Sequence, residues 1–133
     1  MSGYPCSWAV LHVVPHPHTG RGSPVGLVLQ SRPAQYVGCR AITDADQLRQ
    51  LAPDVDIELL VRYLRSCEAI AEGREEAGEI ALLSPPERFY WLSAPRSDVL
   101  QPGRLEHGMS DDPARLLDTL FRQRVTERQS PPM

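Results

Sequence analysis

The stretch Ser7-Trp-Ala-Val-Leu-His-Val-Val14, closed by Pro15, decides the fold class of this chain. It is rich in β-branched and aromatic residues, which suit a pleated, half-buried surface, and it reads as a strand that ends at the proline. A second run, Val25-Gly-Leu-Val-Leu-Gln30, reads as its partner. Residues 35–42, containing Tyr36-Val-Gly-Cys-Arg-Ala-Ile42, give a third strand. Residues 16–24 are dense in Pro, Gly and His, so the first hairpin is expected to close through a long mobile loop rather than a two-residue turn. The three strands together imply an antiparallel meander.

Helices follow the meander. Thr43 precedes Asp44-Ala-Asp46, a capping-box-like start in which the hydroxyl would serve an orphan amide and the acids would favour the positive helix end. The short helix it opens is expected to reach Leu51. Asp54 is placed to cap a longer helix over 54–72, whose apolar positions Leu60, Tyr63, Leu64, Cys67 and Ile70 or Ala71 recur at helical spacing, with Glu58 and Arg62 paired on the wet side. Residues 73–78 form a polar connection, and residues 80–83 read equally as a short edge strand or a helical turn. Pro85-Pro86 then breaks the chain before 88–93, whose aromatic content reads as strand. Alternation would set Phe89 and Trp91 on one face and Arg88, Tyr90 and Leu92 on the other. Leu100-Gln101 and the Pro102-Gly103 turn read as irregular. Ser110 or Asp112 caps a final helix with Pro113 in its first turn and Leu116, Leu117, Leu120 and Phe121 facing inward. The expected architecture is α+β, an antiparallel sheet of four or five strands packed against two main helices. A single domain over 1–128 is expected, with a frayed tail over 129–133.

Composition narrows the chemistry. The 133 residues are 41% hydrophobic and 23% charged, an ordinary balance for one globular domain, with no apolar run near the ~20 residues of a membrane span. The opening residues lack a basic segment followed by an apolar one, so a cytoplasmic location is expected. Cys6, Cys39 and Cys67 are widely spaced, which fits buried thiols better than a disulfide framework or a zinc knuckle. All 14 basic residues are arginine, which removes lysine Schiff bases and Walker-type phosphate loops. Residues 1–43 carry Arg21, Arg32 and Arg40 and no acid, whereas the remainder holds all 17 acids. That asymmetry can create a local anion-attracting face on a chain of net charge −3.

Several constellations offer chemistry. His16-Pro-His18, with His12 and His107, supplies imidazoles for a metal, but two histidines in a loop do not converge three or four ligands, so no metal is expected. His12 reads as a satisfied strand histidine. Ser110, His107 and Asp111 lie too close along one turn to align as a triad, and Asp111-Asp112 read as helix caps rather than a cation site. Arg88 and Arg96, with Arg40 or Arg104 as further cations, stand beside Tyr90 and Trp91 in a pattern suited to gripping a phosphate or carboxylate while an aromatic ring stacks. Gln101 and His107 could add polar contacts there. The competing reading buries Trp91 and uses Arg96 to order its own loop.

The residues Arg88-Phe-x-Trp-Leu-x-Ala-Pro-Arg-Ser97, then Leu100-Gln-Pro102, then His107-Gly-x-x-Asp-Asp-Pro113 resemble the C-terminal signature of the bacterial domain-of-unknown-function family numbered 3037 (DUF3037). Val10-Leu-His-Val-Val-Pro15, Val25-Gly-Leu-Val-Leu29 and residues 46–56 are similar to the N-terminal half of that family. One departure stands out: where the family usually reads Gly-Glu-Phe-x-Asn-Val-Gly, this chain has the shorter Gly22-Ser-Pro-Val-Gly26, without the Glu or the Asn. Any function those residues share is then lost or altered here. The resemblance implies no established activity. It does imply an accessory or partner role, since some members occur beside genes resembling HipA-type kinases.

With no cofactor motif and no activated nucleophile, the sequence favours a non-enzymatic accessory module that binds another protein, such as a HipA-like kinase or another enzyme encoded nearby. A homodimer is compatible with this. The second hypothesis is a nucleic-acid or anion-binding module using Arg88, Tyr90, Trp91 and Arg96. The third is a small enzyme with His107 as general base.

Overall fold

The computed structural model describes residues 3–16, 21–94 and 100–127. The meander forms as expected: β1 (Tyr4–His16) pairs antiparallel with β2 (Arg21–Ser31), and β2 with β3 (Tyr36–Ala41). Both hairpin strands extend into the stretch expected as loop, and residues 17–20 lie outside the described residues. Pairing shifts by one between Leu11↔Gly26 and His12↔Pro24, so Val25 is the additional residue of a bulge. Pro24, which cannot donate to a ladder, is tolerated beside it. A turn with Gln35 at φ 51 separates β2 from β3, so Gln35 does not belong to the strand as the sequence suggested.

The helices differ from expectation mainly at their ends. Asp44, not Thr43, caps α1 (Ala45–Leu51), its carboxylate accepting from the Asp46 amide at 2.9 Å. The cap of α2 (Ile57–Glu72) is Asp56 rather than Asp54, accepting from the Leu59 amide at 3.2 Å. The helix buries Ile57, Leu60, Leu64, Cys67, Ile70 and Ala71 and ends at Gly73, whose φ of 73 closes it in the left-handed conformation that glycine adopts without steric cost. Two short 3-10 turns follow, Glu75–Ala77 and Glu79–Leu82, and the second settles the open choice at 80–83 as helical.

Residues 88–93 correct the sequence reading: they are not a strand but part of α3 (Pro85–Ser93). Ser84-Pro-Pro-Glu87 is a helix start, with proline in the first turn and Glu87 Oε1 accepting from the Ser84 hydroxyl at 2.7 Å. Phe89 and Leu92, three apart, are therefore the buried pair. Residues 100–103, expected to be irregular, instead form β4 (Leu100–Pro102), and the turn expected around His107 is β5 (Glu106–Ser110), both antiparallel to β1. Asp112 caps α4 (Pro113–Phe121), accepting from the Arg115 amide at 3.2 Å, and a π-type turn, Arg122–Thr126, continues it. The tail over 129–133 lies outside the described residues.

The sheet order is β3-β2-β1-β4, with β5 pairing the same side of β1 as β4. Alternation along the strands assigns the two faces. Leu11 faces Tyr63 and Cys67 of α2 and Leu92 of α3, whereas a Cβ on Gly38, which aligns through Leu29 with Trp8, would lie 2.7 Å from Leu117 of α4. The sheet is thus covered by α2 and α3 on one side and by α4 with its π turn on the other, which accounts for β-strand residues buried on both faces: Ala9, Leu11 and Val13 on one, Trp8 and Val10 on the other.

Candidate functional site

Of the five described residues singled out from the sequence, Arg88, Tyr90 and Trp91 lie on α3, Gln101 on β4 and His107 on β5. Arg88 is used within the fold: Nη1 donates to the Leu83 carbonyl at 2.6 Å and Nη2 to the Ala71 carbonyl at 3.4 Å, tying the last turn of α2 to the segment before α3. Tyr90 and Trp91 stand on the outer side of α3, 75% and 40% exposed, so Trp91 is not the buried anchor of the competing reading. Gln101 lies on β4 opposite His12, and His107 on β5 opposite Ser7. Because His12 and Ser7 alternate along β1, Gln101 and His107 belong to different faces of the sheet. Arg96 lies outside the described residues, and its expected convergence with His107 falls there too.

The hydroxyl of Ser7 is 3.0 Å from His107 Nδ1 at an exposed position. Ser110 is on the opposite face of β5, its Oγ accepting from the Asp112 amide at 3.0 Å, so Ser110, His107 and Asp111 do not form a triad. Among the described residues no group of three or more His, Cys, Asp or Glu side chains is placed to hold a metal ion. His18 lies outside them.

Two other features are built by the fold. The first is a groove of about 420 Å³ along the free edge of β3, floored by residues 37–40 and walled by Ala71, Glu72 and Arg88 on one side and Ala114, Leu117 and Asp118 on the other. The Ile42 amide donates to the Val25 carbonyl at 2.8 Å, which makes 25/42 a hydrogen-bonded pair. Antiparallel pairs alternate, so the backbones of Gly38 and Arg40 face β2, whereas those of Val37, Cys39 and Ala41 face outward. Glu68 Oε2 accepts from the outward Ala41 amide at 3.0 Å and closes that end of the edge. Burial raises the Glu68 carboxyl above its usual range, opposed by the Ala41 amide and then Arg40. Burial likewise pushes the Cys39 thiol well up, with Cys67, Glu68 and Glu72 adding to it, so Cys39 stays protonated and serves as packing. Arg40 pairs with Asp118 and sits 5.4 Å from the centre of the Phe121 ring.

The second feature is a cleft of about 410 Å³ on the α4 face, lined by Val10, His12, Gly22, Pro24, Gly103, Arg104, Glu106 and Arg124. The sequence could not show it, because it gathers residues from four separate segments and His12 lies in an apolar run. Burial lowers the His12 pKa from 6.5, the Val10 carbonyl opposing it. The unfolded chain therefore holds the His12 proton at pH values where the folded chain has released it. Stability contributed by the neutral ring is complete above about pH 6.5 and is lost as the pH falls through the lowered folded value. Urea unfolding at pH 7.5 and 5.5 is expected to show a smaller acid loss in His12→Gln than in the parent; equal losses would contradict the assignment.

Residues 8–125, from β1 into the π turn after α4, match a family model described as Protein of unknown function (DUF3037). The chain belongs to that family. The match takes in every strand and helix that walls the β3 groove and the His12 cleft, so both features lie within the DUF3037 region. No curated protein and no solved structure matches the chain. No helix among the described residues is long and apolar enough to cross a membrane.

Proposed function

We propose that this DUF3037 chain is a non-enzymatic accessory module that binds another protein by accepting an extended segment of that partner at the β3 edge. One observation carries the reading: the outward N–H and C=O groups of Val37 and Cys39 face a groove between α2 and α4, and no hydrogen bond among the described residues occupies them. The Val37 and Cys39 side chains are buried, whereas their outward backbone groups open into the groove and are left to solvent until an incoming strand pairs them. An added strand would supply up to four hydrogen bonds, while the walls admit alternate side chains of the incoming segment. Closure of the edge at Ala41 by Glu68 limits indiscriminate sheet extension. The partner favoured is an enzyme of the kind the family resemblance implies, a HipA-like kinase or another encoded nearby.

This reading also fits what Arg88 does. The cation that a phosphate-gripping site would need is spent on the Leu83 and Ala71 carbonyls, which weakens the nucleic-acid alternative.

The test is capture of the partner from the native host by the parent chain and by Val37→Pro. The Val37 amide points away from β2, so proline there removes no ladder bond and is compatible with an edge strand. The variant is expected to keep its circular dichroism spectrum and to lose about tenfold or more in partner recovered, with little dependence on salt. Unchanged capture by Val37→Pro would overturn the edge reading. Recovery of nucleic acid that disappears at high salt would support the alternative instead. A second copy of the chain at this edge would appear as a concentration-dependent dimer in light scattering.

A further inference from the structure

We infer that the cleft around His12 is a binding site for a small organic anion, one carrying a carboxylate or phosphomonoester head group on a short body. It is separate from the β3 groove, which lies at the opposite edge of the sheet, and it does not depend on the strand-addition reading. The volume, about 410 Å³, is within the range of small-ligand sites.

The charges in the cleft are not balanced. Arg124 Nη1 donates to both oxygens of Glu106, at 2.8 and 2.9 Å, so the carboxylate is neutralised by a guanidinium held in place by a part-buried ion pair. Among the described residues the Nε and Nη2 groups of Arg124 have no partner, and Arg104 makes no ion pair. Among the described lining residues one net positive charge remains, with guanidinium N–H groups available from two arginines. This suits the planar oxygens of a carboxylate or the oxygens of a phosphate.

His12 adds selectivity. Its half-buried ring is neutral at pH 7, as its lowered pKa requires; the ring N–H is engaged by the Val10 carbonyl, which leaves the other nitrogen to accept from a hydroxyl of the ligand without adding charge. Val10 and Pro24 give the cleft an apolar wall for the carbon body of the ligand. The backbone of Gly103 leaves the mouth open: a Cβ there would lie 3.4 Å from His12 Cε1 and 3.4 Å from the Val10 carbonyl, an ordinary contact, and its φ is not in the left-handed region. A Cβ is therefore accommodated at Gly103, and a longer side chain there would compete with a ligand for the space beside His12.

The experiment is a titration followed by amide NMR, with succinate and methyl phosphate as separate probes of the two head groups. Saturable shifts at residues 12, 22 and 104 with either probe support the site, and the tighter probe identifies the head group. Arg104→Ala is expected to weaken binding about tenfold or more, the loss of a charge-assisted contact. Arg122→Ala removes an exposed arginine of the π turn outside the cleft and is expected to leave binding unchanged. Gly103→Leu should fold as the parent does and abolish saturation. The inference is overturned if neither probe saturates below about 50 mM, if Arg104→Ala and Arg122→Ala weaken binding equally, or if folded Gly103→Leu binds as the parent does.

Discussion

Gly38→Val is expected to destabilise the chain by about 3 kcal/mol, near the upper end for overpacking a filled site. Gly38 lies in β3 on the α4 face, and a Cβ there would meet the Tyr36 hydroxyl, with Leu117 Cδ2 at 2.7 Å and Tyr36 Cζ at 2.8 Å. Tyr36 lies two residues away on the same face, so its ring covers the space the glycine leaves open. Swinging the tyrosine out would relieve one contact but expose an aromatic ring. Leu117 is only 4% exposed and has no comparable escape. The cost would appear as a lower urea midpoint at unchanged slope. Valine tolerated without a shift in midpoint would mean that α4 does not dock on β3 as described.

Arg88→Met is expected to cost about 2 to 3 kcal/mol, comparable with hydrogen bonds made by charged groups. The guanidinium serves a carbonyl in the last turn of α2, Ala71, where the helix leaves its acceptors unsatisfied and favours a cation. Its second bond, to Leu83, fixes the chain just before the Ser84 cap of α3. Methionine keeps much of the packing volume but leaves both carbonyls without the donor. If Arg88 instead served mainly to bind an external anion, the substitution would leave the urea midpoint in place.

The fold was legible where one physical signal acted alone. The valine-rich runs of β1 and β2 and the helical stripe from Leu60 to Ala71 place the meander and α2, and the α+β class follows. It was misread at 88–93, where three consecutive aromatics suggest a strand and the proline pair before them suggests a break. Proline is also at home in a first helical turn, and with Ser84 and Glu87 around it the capping chemistry outweighs aromatic strand propensity. Strands β4 and β5 were missed because three-residue and five-residue elements carry almost no periodicity, and their pairing partner, Tyr4–His16, is distant in sequence.

The site was less legible than the fold. Arg88, Tyr90 and Trp91 are neighbours in sequence, but helical geometry turns Arg88 onto backbone carbonyls and the two aromatics outward. The β3 edge depends on which backbone groups face away from β2, a property of register that side-chain chemistry does not encode. The His12 cleft depends on Arg104, Glu106 and Arg124 meeting across four segments. The pairing of Glu106 with Arg124 has no spacing signature that would have revealed it.

Amide hydrogen exchange along β3 tests the central claim most directly, with the free chain and the chain bound to its captured partner compared residue by residue. In the free chain Gly38 and Arg40, bonded to β2, are expected to exchange at least about a hundredfold more slowly than Val37 and Cys39, whose amides face the groove. In the complex Val37 and Cys39 should become as slow as their neighbours. Val37 and Cys39 amides whose exchange does not change on partner binding would contradict it.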